Sequence, residues 1–202
     1  MAFTFFFRDT HVLDLITRHV VPGLAGFSRI RVWDAGCAMG PEPYTLAILF
    51  AENLGKFAFR NLTIYATDID EGGDFEQTIA AGDYPLEALQ RIPPEYLERY
   101  FVASDRPQYR RVCDDLRQRL RFTRHDLLSL SPIGDGFHLI VCKNVLLHFS
   151  PAQRVEVLRM FHRALAPGGF VATEQTQKMP AELGDLFEPV TVDGQLHRRR
   201  QP

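Results

Sequence analysis

Cysteine is scarce in this chain, and its three copies, Cys37, Cys113 and Cys142, stand far apart. An odd, scattered set excludes a disulfide framework and a paired-cysteine zinc site, and it fits a reducing compartment. There is no His-Glu-x-x-His and no other histidine spacing suited to a metal, so no metal is expected. A Gly-x-Ser-x-Gly elbow and a Walker-type glycine loop are also missing, which removes the serine hydrolases and the P-loop enzymes. No apolar run is long enough to span a bilayer, and the apolar start at residues 1–8 is too short for a secretory core and has no cleavage site. The expected location is the cytoplasm, without direct membrane insertion. Charge of one sign is not in excess either. With 23 Lys and Arg against 25 Asp and Glu, the net charge is −2 and gives no reason to expect nucleic acid.

What is present is an alternation of strand and helix signals over 202 residues, enough for one domain spanning 1–202. Apolar periodicity predicts helices over 11–21, 43–54, 75–81 and 151–166, with Ser150 as the N-cap of the last. Short helices are expected at 86–89 and 94–101. Strands are expected at 30–33, 62–67, 109–113, 120–123, 137–144 and 170–173, and one or two more between 187 and 198. The pattern predicts an α/β fold with a doubly wound, mostly parallel sheet. Between Leu97 and His125, eight arginines face four acids. This segment, about 97–125, is expected to form a small, basic, β-containing inserted subdomain. Its charge could steer an acidic partner, or it could be a solvated face of mixed ion pairs.

The most informative stretch runs from Val32 to Tyr44, a buried strand, a turn with Gly36 and Gly40, and a helix start. A helix N-terminus offers free N–H groups, and glycine lets a ligand approach the main chain. The second strand ends in Asp68 and Asp70, where such a sheet grips a ribose diol. The third glycine of a dinucleotide loop is lacking, so no diphosphate cradle is evident. A ligand with ribose and adenine but no diphosphate fits, and S-adenosylmethionine is one. Asp34, Asp68, Asp70, Lys143 and Asn144 all follow strands and should converge on one cleft. Asp126 could reach an adenine amino group. Phe5, Phe6 and Phe7 read as core or lid packing.

Phe6-Phe7-Arg8-Asp9, Asp34 through Thr45, Ala66-Thr67-Asp68-Ile69-Asp70, Arg99-Tyr100-Phe101, Asp126-Leu127-Leu128 and Cys142 through Phe149 occur in this order. Together they resemble the CheR family, S-adenosylmethionine-dependent methyltransferases that esterify glutamates of bacterial chemoreceptors. The resemblance runs from about Thr4 to the C-terminus and has no counterpart of the family's helical N-terminal domain. It implies a Rossmann-like class I methyltransferase fold, S-adenosylmethionine as cofactor and S-adenosylhomocysteine as product. It implies that Thr4, Arg8, Asp34, Gly36, Glu42, Asp68, Asp126, Leu127, Lys143 and Asn144 bind the cofactor, with Asp68 on the ribose hydroxyls and Asp126 and Leu127 about the adenine. Arg8 and His148 would stand at the transferred methyl. A glutamate-bearing or acidic protein is the implied acceptor, docking on the basic insertion.

Several positions depart from the family pattern. Pro41 replaces a glutamate, Lys143 an arginine, Asp126 an asparagine and His148 a tyrosine, and Thr176-Gln177 stands for Ser-Glu. The segment 103–109 is poor in glycine. The cofactor half of the pattern is kept and the acceptor half is altered. A carboxylate acceptor is already ionised at neutral pH and needs no base. A hydroxyl or amine acceptor would need one, and His148 could then serve. The alternatives are therefore a methyltransferase for another protein or small molecule, or a non-catalytic module that binds S-adenosylmethionine and signals.

Overall fold

The computed structural model describes residues 4–201; the first part of the apolar start, residues 1–3, lies outside it. Helices are α1 (Thr10–His19), α2 (Val21–Leu24), α3 (Pro41–Asn53), α4 (Gly55–Arg60), α5 (Phe75–Ala81), α6 (Pro94–Tyr100), α7 (Asp114–Arg117) and α8 (Pro151–Ala164). Strands are β1 (Ile30–Ala35), β2 (Leu62–Asp68), β3 (Asp83–Pro85), β4 (Phe101–Ala103), β5 (Tyr109–Val112), β6 (Leu120–Arg124), β7 (Phe137–Cys142), β8 (Leu165–Thr173), β9 (Phe187–Pro189) and β10 (Leu196–Arg199). Seven of these strands form the main sheet in the order β6-β2-β1-β7-β8-β10-β9. The pairings from β6 through β8 are parallel, and β10 runs antiparallel to both of its neighbours.

Alternate strand residues feed two cores. Val32, Ile64, Leu139 and Val141 face α1 to α4, whereas Trp33, Ala35, Ile140 and Cys142 face α8. Helices on both faces explain why β1 and β7 are apolar almost throughout. α3 is buried from Pro41 through Phe50 apart from Glu42, so it reads as apolar all round rather than as an amphipathic stripe. The Ser150 cap is present, with its side chain accepting from the Gln153 N–H and Gln153 answering at the Ser150 N–H.

The sheet corrects the boundaries expected for the basic insertion. The small sheet has the order β3-β5-β4, so it recruits Asp83–Pro85 from before Leu97. Leu120–Arg124 pairs with β2 instead and belongs to the main sheet. A strand that completes a sheet edge cannot be told from a hairpin strand by its own residues. Helices α4 and α7 are too short to show a recognisable period, and β4 begins at Phe101, where the sequence pattern extends the preceding helix. The strand order reverses between β1 and β7, and the loops at the carboxyl ends of these strands open a crevice.

Candidate active site

The crevice is a cavity of about 660 Å³. The turn after β1 contributes Gly36 and Ala38, the end of β2 gives Thr67, Asp68 and Ile69, and the segment after β6 gives His125 to Leu128. The segment after β7 supplies Lys143, Asn144, Val145 and His148, and the N-terminal arm adds Thr4 and Arg8. Glu42 enters from the first turn of α3.

Each wall is set by local backbone chemistry. The N–H groups of Gly36 and Cys37 both donate to the Thr67 carbonyl, at 2.8 and 3.0 Å, which closes the turn against β2. Asp68 accepts from the Ala38 N–H at 2.9 Å and from the Asp70 N–H at 3.3 Å, so its carboxylate is held at the crevice rim. Asp70, paired with Asp68 in the sequence pattern, turns away and caps the following loop through the N–H groups of Gly73, Asp74 and Phe75. Asp126 accepts from the Leu128 N–H at 2.8 Å and caps a single 3₁₀ turn. His125 pins the same loop, with Nε2 2.8 Å from the Ser131 carbonyl and its ring edge-on to Trp33. Ala38, Asp70, Asn144, Phe7 and Asp9 all have positive φ without being glycine, which concentrates backbone strain around the crevice.

Asp34 is the exception among the expected cofactor-binding residues. It is fully buried and does not line the crevice. It points to the α3 face of the sheet, where it meets Glu42. Burial first, then Glu42, push the Asp34 carboxyl well above the ordinary range, with Lys143 opposing. Burial beside a second carboxylate thus favours the protonated form of Asp34 more than an exposed setting would, and neither of its oxygens has a hydrogen-bond partner among the described residues. Lys143 is buried too, and its Nζ lies 3.1 Å from Glu42 Oε2, 3.0 Å from the Arg8 carbonyl and 3.7 Å from Asp9 Oδ2. Asp34 thus lies beside Glu42 and off the crevice wall, a placement that position in the sequence could not separate from the rim.

The N-terminal arm is tied across the crevice by the same cluster. Arg8 Nη2 donates to Asn144 Oδ1 at 2.8 Å, and Asn144 Nδ2 donates to Asp9 at 3.1 Å. Phe6 and Phe7 pack inward rather than as a lid. Phe6 is core, edge-on to Tyr84 and Phe101, and Phe7 stacks on Tyr96 while its N–H donates to Thr45. They anchor the arm to the inserted small sheet and to α3, and so place Thr4 and Arg8. His148 ends a 3₁₀ turn, is exposed, and among the described residues makes no side-chain hydrogen bond. Sequence reading did not single out Val145, Ile69, Leu147 or Asp9. Val145 lies against the space a side chain at Gly36 would need, and nothing in its own neighbourhood of the chain signals that contact.

The chain matches the family described as "CheR methyltransferase, SAM binding domain" over residues 2–195. It belongs to the CheR methyltransferase family. It is 34% identical over 188 residues to Chemotaxis protein methyltransferase 1 of Pseudomonas aeruginosa, covering 88% of this chain and 67% of that one. It is 31% identical over 183 residues to a chemotaxis protein methyltransferase of Listeria innocua, covering 89% and 67%. The chain thus spans about two thirds of the length of these relatives. A 104.1 kDa protein of Rhodobacter capsulatus is 36% identical over 175 residues that make up 18% of it. The fold is shared with magnesium protoporphyrin IX methyltransferase of Synechocystis PCC 6803, solved with S-adenosylmethionine bound, at a TM-score of 0.50 and 17% identity over 95% of this chain and 79% of that one. This CheR-family domain is a Rossmann-like S-adenosylmethionine-dependent methyltransferase domain.

The crevice fits that cofactor on its own terms. Its volume lies in the range of small-molecule sites. Apolar Ile69, Leu127 and Leu128 can sandwich a purine, Asp68 presents a fixed acceptor to hydroxyls, and Glu42 Oε1 is a buried acceptor with no hydrogen-bond partner among the described residues. An acceptor left bare beside a cationic ligand's place is the expected complement of an ammonium group. Among the described residues, no helix is long and apolar enough to cross a membrane, and no group of three metal-ligating side chains occurs.

Proposed function

We propose that the protein methylates a glutamate carboxylate of a protein acceptor. The observation that carries this is the acceptor end of the crevice. It presents a fixed cation, Arg8 held on Asn144 at 2.8 Å, and its imidazole, His148, has no partner among the described residues to orient it as a base. Arg8 would align the incoming carboxylate through a charge-assisted hydrogen bond. We further propose that Asp68 binds the ribose hydroxyls, Asp126 and Leu127 flank the adenine, and Glu42 takes the ammonium group. Lys143, Asn144, Gly36 and Thr4 complete the methionyl end. S-adenosylmethionine, when bound, supplies an electrophilic methyl: a carboxylate lone pair forms the new C–O bond, and the C–S electron pair stays on sulfur to leave S-adenosylhomocysteine. No proton is displaced, and both formal charges vanish. A site that sheds water around the reacting atoms favours such a step.

The relatives named chemotaxis protein methyltransferases support a protein acceptor, and we take that acceptor to be acidic. We place it at the crevice mouth rather than on the basic insertion. Most arginines there spend their donors inside the fold: Arg99 on Glu52, Arg111 on Asp83 and Asp105, Arg119 on the Arg60 carbonyl and Arg124 on the Ile69 carbonyl. With its three free cysteines the chain suits the reducing cytoplasm. The test is transfer of label from methyl-labelled S-adenosylmethionine to acidic protein, followed by mild alkali. Volatile methanol is the expected product, because esters hydrolyse. Label that survives alkali would rule out the carboxyl reading. A second reading, methylation of a hydroxyl or amine with His148 as base, is favoured only by the place of His148 on the crevice wall.

A further inference from the structure

Arg91 is an exposed arginine with an unusual setting. Its Cζ lies 3.9 Å from the centroid of the Phe5 ring, and Arg8 Cζ lies 5.6 Å from the same centroid. Two guanidinium groups over one ring would ordinarily repel, so each needs a reason to stay. Arg8 has Asn144 and Asp9. Among the described residues, Arg91 makes no side-chain hydrogen bond and no ion pair. Its nearest acidic neighbours along the chain, Glu87 and Glu95, form no bridge to it.

The group is nevertheless held in place. Leu89 and Ile92, two residues before and one after, are both buried, so the backbone at Arg91 is anchored on either side. Phe5 in turn is placed by Phe6 and Phe7, which dock the arm. Stacking engages the flat face of a guanidinium and leaves its edge donors directed outward. The result is a pre-positioned cation with available donors on the same ring as Arg8, which lines the crevice. Arg91 does not line the cavity, so it is no part of the cofactor's wall.

We propose that Arg91 is a second acceptor-recognising residue, whose guanidinium edge binds an anionic group of the protein acceptor other than the carboxylate that is methylated. This inference rests on the carboxyl-methylation reading and names a charge requirement within it. An acceptor with two neighbouring anions satisfies both arginines and relieves their repulsion, whereas a lone carboxylate satisfies only Arg8. Arg91 acts on acceptor affinity, not on the reacting atoms.

The experiment compares the wild-type chain, Arg91→Gln and Arg91→Lys with two acceptors: poly-L-glutamate, and a single glutamate blocked at both ends. The readouts are methyl transfer and binding of labelled poly-L-glutamate to protein saturated with S-adenosylhomocysteine. Arg91→Gln should lower the ratio of kcat/KM for poly-L-glutamate over the single glutamate by about tenfold, the size of one charge-assisted contact. The change should appear in KM, shrink as salt rises, and be partly restored by Arg91→Lys, which keeps the charge and loses the plane. Affinity for S-adenosylhomocysteine should match the wild type. An unchanged ratio, or an equal loss on both acceptors, would overturn the proposal. If the wild type methylates neither acceptor, the carboxyl reading has failed on its own. The binding arm then still decides Arg91, because equal affinity of wild type and Arg91→Gln for poly-L-glutamate refutes it.

Discussion

Gly36→Ala is the substitution whose consequence the structure fixes most closely. Gly36 has φ of 109°, a region that a residue with a Cβ enters only under strain, at a cost of about 1–3 kcal/mol. A Cβ there would also fall 2.1 Å from Val145 Cγ2, and Val145 must then shift in a packed wall, which adds about 1–3 kcal/mol. The expected destabilisation is about 2–6 kcal/mol, a large part of a typical folding free energy of about 5–15 kcal/mol. For a domain of this size it corresponds to a fall in Tm of about 5–20 °C. Function should suffer as well, because both residues line the crevice and the displaced Val145 intrudes on it. A double-mutant cycle separates the two causes. Val145→Ala removes the methyl that the new Cβ would strike, so the double variant should recover the packing share, about 1–3 kcal/mol, and keep the backbone share. The assay is denaturant unfolding of all four proteins, with calorimetry of S-adenosylhomocysteine alongside. If Gly36→Ala unfolds like the wild type, or if the two substitutions are simply additive, the steric argument is refuted.

Asp68→Ala should weaken S-adenosylhomocysteine by about 1.5–3 kcal/mol, or roughly 10- to 150-fold, by calorimetry. Asp68→Asn keeps an acceptor for the Ala38 N–H and should lose less; equal affinity in all three proteins would show that another acid holds the ribose. Asp34→Asn tests the buried acid. Because the folded-state pKa of Asp34 lies above its unfolded value of about 3.9, the folded protein holds a proton that the unfolded chain has released, so this residue lowers stability as pH rises from about 4 toward the raised value. The variant should therefore gain on the ligand-free wild type with rising pH and show no such gain below about pH 4; a flat difference in urea midpoints between about pH 4 and 8 would mean that Asp34 is ionised in the fold. His148→Phe should leave carboxyl methylation nearly intact, since no proton needs removing. A loss of about 10²–10⁴-fold with a histidine-like pH profile would instead assign His148 as the base for a hydroxyl or amine acceptor.

Much of the fold was legible because strand and helix periods are local properties. The runs at β1, β2, β7 and α8 lie within two residues of their expected limits, and the Ser150 cap is where a serine before a proline-led helix should stand. The crevice was legible because strand-end acids and glycines follow directly from a parallel sheet. Thr4, Arg8, Gly36, Glu42, Asp68, Asp126, Leu127, Lys143, Asn144 and His148 all meet at one cavity, drawn from segments more than a hundred residues apart. What the sequence could not decide was contact between such segments. Asp34 and Asp68 look alike along the chain, but the side alternation of β1 sends one into the α3 face while the end of β2 leaves the other at the rim. Leu120–Arg124 joined the main sheet because β2 had an unpaired edge, a fact about a strand some 50 residues earlier. The phenylalanines at 5–7 announced burial but not their partners, and only the packing of Phe6 on Tyr84 and of Arg91 on Phe5 shows that they fasten the arm. Residue type and period determine which groups want burial and which strand ends turn polar; which groups then meet is decided by the tertiary fold, because those contacts depend on the relative placement of distant elements.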